Sequence, residues 1–482
     1  VMTFGAITLA AATTLDTNAT NTTGDITIGA VTGSNNDLTL DTTTSTGSAS
    51  HTFTGDINLG TGRLSVTGDV VLGANVTITA RASNNNGIRI RDKINADDAT
   101  NNDRTLTLDA GTSSSIRVDS KIGDSQPLAG LIVTQTCNAD FRNSVNVTDS
   151  NTGTITITDA VNNRNIVFRG NTTADSFVTT TEGYDIFFFG DATFTNAVTF
   201  QNGGTLDLGN GTADDITFNG GVTVSSGGNV TIDGAIISSD DAISFGNVRF
   251  GQSTSITSAG GAISIGNITG TGSNRDITIT SSGGSTNTVT VGTIGGSGNI
   301  NAVAITGSTS VTLNGDITTN NSSGNSVTIT GTTVNTGAIT IDTNNSSNDG
   351  AITIDGAIAG GNNNVALDSG GADITVSGAI SSVDTLTLTS AATATLSGDT
   401  DVSTLSVDNN VTNLTFTGNG SSVTNAFSPS NTGTLTLGTS GGTQTYNGGL
   451  TTTSVGSTVT LNGTIATSND AVVFGAVTLG SA

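Results

Sequence analysis

The apolar positions of this chain come in short triplets with a polar residue at the centre. Examples are ITI at 26–28 and 155–157, LTL at 38–40 and 106–108, VTI at 76–78 and 327–329, VTV at 289–291 and VTL at 459–461. Successive side chains of an extended backbone point to opposite sides, so each triplet sets two aliphatic groups on one face and a threonine on the other. No segment carries a helical period. A Gly-x-Ile/Val step follows many triplets, as at 29–31, 266–268, 356–358 and 378–380, and glycine supplies the backbone freedom of a sharp corner. Strands this short cannot bury a face alone. Wound so that each turn lies parallel on the last, they enclose an apolar interior and leave Thr, Asn and Asp outside. The pattern predicts an all-β right-handed parallel β-helix solenoid, because parallel crossovers are right-handed in nearly all cases. Two or three strands per turn give about 20 coils, with no capping domains. Tandem β-sandwiches would need hairpin signals and aromatic cores that are scarce here.

A longer period lies over the triplets. Residues 470–480 (DAVVFGAVTLG) repeat residues 241–251 (DAISFGNVRFG), and residues 1–9 (VMTFGAITL) begin at the same phase. Residues 202–236 and 431–465 share three motifs in one order, and residues 24–41 match 261–280. The chain therefore reads as two tandem super-repeats of one continuous β-helix, 1–244 and 245–482.

Composition agrees with this reading. Only 11% of the residues are charged, yet the formal net charge is −25, almost all of it from Asp. Asp favours turns, where it bonds the nearby backbone. Eleven of the thirteen basic residues fall between Arg63 and Arg169. A chain this acidic is a poor partner for nucleic-acid phosphates. The single cysteine, Cys137, excludes an internal disulfide, and no metal motif or cofactor-binding motif is present. No apolar run has the length of a membrane span, and no signal-peptide pattern opens the sequence.

Three groups of residues stand out. IRIRDKI (88–94) and IRVDSKI (116–122) match at a spacing that stacks Arg89 on Arg117 and Lys93 on Lys121, with Arg91 alongside. This is a candidate surface patch for an anionic glycan or an acidic neighbour, set against a plain network of surface ion pairs. Phe187, Phe188 and Phe189 cannot all face inward from one strand, so either a ring is exposed as a lateral contact or a bulge tucks all three in. The carboxylate pairs Asp97–Asp98, Asp214–Asp215 and Asp240–Asp241 and the lone His51 sit in no catalytic pattern, and no enzyme is expected. Outward threonine rows, such as Thr154–Thr156–Thr158 and Thr385–Thr387–Thr389, recur without one sustained spacing, and strand propensity accounts for them.

The coils at 350–371 (GAITIDGAIAGGNNNVALDSGG) and 374–390 (ITVSGAISSVDTLTLTS) resemble those of secreted bacterial β-helix surface proteins: filamentous-haemagglutinin-type adhesins, autotransporter passengers and large repetitive surface proteins. Neither the secretion domain nor the membrane barrel of such proteins is recognisable in these residues. The resemblance implies an extracellular, cell-surface protein of a microbe. Both ends read as ordinary interior coils, so Val1, Met2, Phe4, Ile7 and Leu9 at one end and Phe474, Val477 and Leu479 at the other are expected to meet head to tail. The expected function is structural, as a subunit or segment of a filament, sheath or fibre whose partner is itself. The alternative is an adhesin stalk or glycan-binding module.

Overall fold

The computed structural model describes all residues except 18–23, 43–48, 84–85, 98–102, 226–227, 273, 285, 297–299, 320–325, 345–347 and 481–482. Its strands pair in parallel, with no helix among the described residues, and they stack as a β-solenoid of about 19 turns. Two compact units divide the chain, residues 1–239 and 240–482.

In the first unit the strands form three columns; most turns contribute three short strands, while Thr105–Val118 and Gly130–Phe141 run through two columns each. Met2–Phe4, Ile26–Ile28, Ser50–Phe53, Asp69–Leu72 and Ile94–Ala96 run in one column. Ile7–Thr8, Val31–Thr32, Ile57–Asn58 and Val76–Thr79 run in the second. Thr13–Asp16, Leu38–Asp41, Leu64–Thr67 and Ile88–Ile90 run in the third. Within each triplet the aliphatic residues face in: Ile26, Ile28, Leu38, Leu40, Ile88 and Ile90 have no exposed surface, while Thr27, Thr39 and Arg89 are half-exposed.

The phenylalanines clustered in the sequence fill this interior. Phe141, Phe168 and Phe188 occupy one inward column, with ring centroids 5.0 and 5.2 Å apart in near-parallel stacks. Phe177 meets Phe168, Phe188 and Phe194 edge to face. Stacks and edge contacts of this kind add about 0.5–1.5 kcal/mol per pair beyond the apolar area they bury. Ring-on-ring packing is concentrated in the first unit, with a smaller group at Phe416, Phe427 and Tyr446 in the second.

The second unit uses the same inward/outward alternation and more often runs a strand around a corner. Ile352–Asp368, Ile380–Leu396 and Thr400–Phe416 each hold 17 residues and span more than one face. Glycines stack at one corner: a Cβ on Gly378 would strike the backbone of Gly356, and one on Gly398 the backbone of Gly378. Only glycine permits that approach between successive turns.

The turn length varies more than the triplets suggest. Register partners lie as close as Val459 and Val477 and as far apart as Val76 and Leu106. Extra residues are taken up between strands, so the columns stay in register while the sequence spacing does not.

Candidate interaction surfaces

Much of the acidic side-chain content is spent on the fold. Asp25 accepts the backbone N–H of Ser50 (3.0 Å), Asp37 that of Arg63 (2.8 Å), Asp56 that of Thr77 (2.8 Å), Asp185 that of Thr205 (2.6 Å), Asp316 that of Thr340 (2.7 Å) and Asp373 that of Thr393 (3.0 Å). Asn35, Asn75, Asn138, Asn247, Asn267 and Asn413 do the same for the turn that follows each of them. A corner N–H that the sheet columns leave unpaired thus receives a side-chain oxygen from the previous turn, at a net gain of about 1 kcal/mol per bond, and more with a carboxylate.

The third column of the first unit carries most of the basic residues. Its outward positions run Ser65, Arg89, Arg117, Asp140, Val167, Phe187 and Asp207 as register partners. Two residues further along each strand lie Thr67, Arg91, Asp119, Arg142, Arg169 and Phe189. The two files interlock through two carboxylates. Asp119 receives Arg89 through Nη2 (3.0 Å) and Arg117 through Nε (2.5 Å), with Arg142 at 3.6 Å. Asp140 receives Arg142 (2.9 Å) and Arg169 (2.6 Å). Burial pushes the Asp119 carboxyl up, but the hydrogen bonds from Arg117 and Arg89 outweigh it and hold it below the usual range. On the neighbouring corner Lys93 (2.6 Å) and Lys121 (2.7 Å) share Asp124, and those bonds lower its pKa. Arg91 differs from the rest. It bonds only the hydroxyls of Ser65 (2.7 Å) and Thr67 (3.4 Å), with no carboxylate partner among the described residues.

The triple phenylalanine resolves by alternation. Phe188 is fully buried, and Phe187 and Phe189 face out, half-buried, with centroids 5.6 Å apart. The Arg169 guanidinium sits 5.8 Å from the centre of the Phe189 ring, within cation–π range. No bulge tucks in all three rings; two of them face outward.

The coil that recurs three times has two environments. At 241–251 its strands Ile243–Phe245 and Val248–Phe250 carry Ile263–Ile265 and Ile268–Gly270 on top, and Phe245 and Val248 are 4% and 3% exposed. At 470–480 the corresponding Phe474 and Val477 are 36% and 37% exposed, and Leu479 is 80% exposed. At the other end Val1 is 85% exposed and Met2, Phe4 and Ile7 are half-buried. Leu9, expected among the end contacts, is instead buried at 3% under the adjoining turn.

The residues weighed for chemistry have structural duties. Asp97 binds Arg104 (2.8 Å), and Asp98 lies outside the described residues. The Asp214 carboxylate accepts the N–H of Asn210 (2.8 Å), and the Asp215 N–H donates to Asp191. His51 is fully buried in the inward file between Ile26 and Val70. Its Nε2–H donates to the Thr67 carbonyl (2.9 Å), which leaves Nδ1 buried without a partner. Desolvation lowers its pKa, against the opposing field of Asp41, Asp92 and Asp25. No group of three or more His, Cys, Asp or Glu side chains suited to a metal occurs among the described residues. A shallow depression of about 260 Å³ in the second unit is lined by Asp316, Asn364, Thr340, Thr385 and Thr387, and its two most polar side chains already hold backbone N–H groups.

The ladder brings threonines together on the outer surface although their spacing along the sequence varies. In the second unit Thr278, Ala304, Thr328, Thr353, Thr375, Thr395, Thr415, Thr436, Thr460 and Thr478 are consecutive register partners, a single unbroken file. Threonine rows are therefore sustained, though at no fixed sequence spacing. Compared with protein-family models, curated proteins and solved structures, the chain matches none of them.

Proposed function

We propose that the chain is a structural segment of a surface-displayed β-solenoid that continues beyond both end coils. The continuation is either covalent, in a longer repeat protein, or head to tail between copies, as in an extracellular filament, sheath or adhesin stalk. One observation carries this reading. The same coil sequence is closed over when a following turn lies on it, at Phe245 and Val248, and presents apolar side chains to water at Phe474, Val477 and Leu479. An apolar strand edge of that kind templates another strand, and a heterologous contact that does not close produces an open fibre. Low charge density, Thr/Asn/Ser-rich outer positions and the resemblance to secreted repeat proteins support an extracellular setting.

Electron microscopy of the native material, with its intact mass, tests the proposal. Fibres built from a 47.6 kDa species mean non-covalent stacking, and Val477→Asp with Leu479→Asp should then dissolve them. Fibres of far greater covalent mass mean one long solenoid. Single rods that stay monomeric at high concentration would overturn it. A second reading, a binding module, is favoured by the arginine and phenylalanine files of the first unit.

A further inference from the structure

The arginine lattice is incompletely satisfied, and the shortfall has a direction. Of seven cationic side chains on this face, six (Arg89, Arg117, Arg142, Arg169, Lys93 and Lys121) share three carboxylates in ion pairs, Asp119, Asp140 and Asp124, and Arg91 pairs with none. Adding Asp69 and Asp92, whose oxygens accept the backbone N–H groups of Lys93 and Gly68, still leaves the cations in excess. That excess stands on a chain whose net charge is −25. The pairing is also made end-on. Arg117, Arg142 and Arg169 each engage a carboxylate through Nε, and their Nη groups donate no hydrogen bond among the described residues, the Arg169 guanidinium lying beside the Phe189 ring. Guanidinium forks favour planar, bidentate oxygen acceptors, so the lattice presents a row of unfilled forks one turn, about 4.8 Å, apart. The same two files then change character within one step, from Arg169 to Phe187 and Phe189. Two half-exposed rings beside a donor row suit a ligand with carboxylates on one edge and apolar ring faces on the other.

We propose that this face binds a linear acidic polysaccharide, a polymer with about one carboxylate per sugar. Its carboxylates take the Nη groups of Arg117, Arg142 and Arg169 and the guanidinium of Arg91, which only hydroxyls hold, and one sugar ring lies over Phe187 and Phe189. Asp119 and Asp140 act as spacers that hold the guanidinium planes apart and fixed, so the ligand meets an ordered row. A densely charged chain such as a nucleic acid fits less well, because beyond the patch it runs over acidic surface. This proposal stands apart from end-to-end continuation, since no residue of the face belongs to either end coil.

The test uses the full chain, with oligogalacturonate as probe and neutral dextran, dextran sulfate and single-stranded DNA as comparators, by calorimetry at low and moderate salt. Oligogalacturonate should bind with an affinity that falls as salt rises, and dextran should not bind. Arg91→Ala, which breaks no ion pair, should weaken binding by roughly fivefold to tenfold, and Arg91→Ala/Arg117→Ala/Arg169→Ala should abolish it. Phe187→Ala/Phe189→Ala should weaken the uronate but leave any residual binding of DNA unchanged. Circular dichroism and melting establish that each variant is folded, and electron microscopy of the same samples should show end-to-end assembly unaltered. No uronate binding at low salt, equal binding of dextran, or undiminished binding by the folded triple variant would each overturn the proposal. Tighter binding of dextran sulfate or DNA, insensitive to the phenylalanine pair, would overturn it as well, by reducing the face to charge alone.

Discussion

The two units carry the same face in different chemistry. Residues 206–208 align with 435–437, 230–232 with 459–461 and 38–40 with 277–279, so the outward file Arg89, Arg117, Asp140, Val167, Phe187, Asp207 corresponds to Thr328, Thr353, Thr375, Thr395, Thr415, Thr436. One file is a donor-rich and aromatic strip, and the other a row of hydroxyls that make no hydrogen bond to another described residue. The inward neighbours barely differ in kind: Ile88, Ile90, Ile116 and Val118 in one, Val327, Ile329, Ile352 and Ile354 in the other, all buried. Along the strands the fold is held from inside, by apolar burial and backbone ladders that do not depend on the central outward residue of a triplet, while Asp and Asn hold the corners. The central outward positions of the strands can consequently vary in chemistry while the architecture is kept.

That division should fail first where an inward group is touched. Phe188→Ala should cost about 3–5 kcal/mol in urea unfolding, because it opens a cavity between Phe168, Phe194 and Phe200. Phe187→Ala, one position away, should cost about 1 kcal/mol or less. Comparable losses from the two would break the inside/outside distinction.

A second difference concerns pH. His51 occupies the inward file where the second unit has Val289, since Ile26 pairs with His51 as Ile263 pairs with Val289. The folded chain holds the imidazole neutral and lowers its pKa, so below about pH 6.5 the unfolded chain binds a proton that the folded one refuses. Stability of the first unit is then complete above that pH and falls with acidification, by at most about 1.4 kcal/mol per pH unit. Melting curves of His51→Val should lose this slope; a slope left unchanged would locate the acid sensitivity elsewhere.

Smaller effects sharpen the same contrast. Asp119→Asn removes the shared acceptor of Arg89 and Arg117 and should cost about 1 kcal/mol or less, shrinking further in high salt. Smallest of all, Thr415→Phe places in the second unit the residue found at Phe187 in the first and should shift stability by about 0.5 kcal/mol or less. A large loss there would mean that the threonine file contributes to the fold as a unit.

The architecture was legible in the sequence because its signal is local. Each triplet states its own alternation, and ITI at 26–28, VTV at 289–291 and LTL at 435–437 are strands with both aliphatic residues buried. The threonine file was not legible, because the insertions between strands vary and only the ladder reveals which residues are neighbours. Spacing placed Arg89 beside Arg117 but missed Asp140, Arg142 and Arg169, which complete the lattice. A signal for them exists: Phe-Arg at 141–142 recurs at 168–169, close to the interval that separates the two IR motifs. Alternation established that Phe187, Phe188 and Phe189 could not all face inward, but the choice of Phe188 follows from its register with Phe168 and Leu208.

The side-chain oxygens that hold corner N–H groups mostly point one way along the chain. Asp25, Asp37, Asp56, Asn75, Asn138, Asp185, Asn267, Asp316 and Asn413 all serve the turn that comes after them, while Asp92 and Asp175 reach back. A completed turn therefore offers the next one side-chain acceptors already in place. A chain released gradually from its N-terminus, as from a ribosome or a narrow pore, finds at every step a finished template for the residues just emerging.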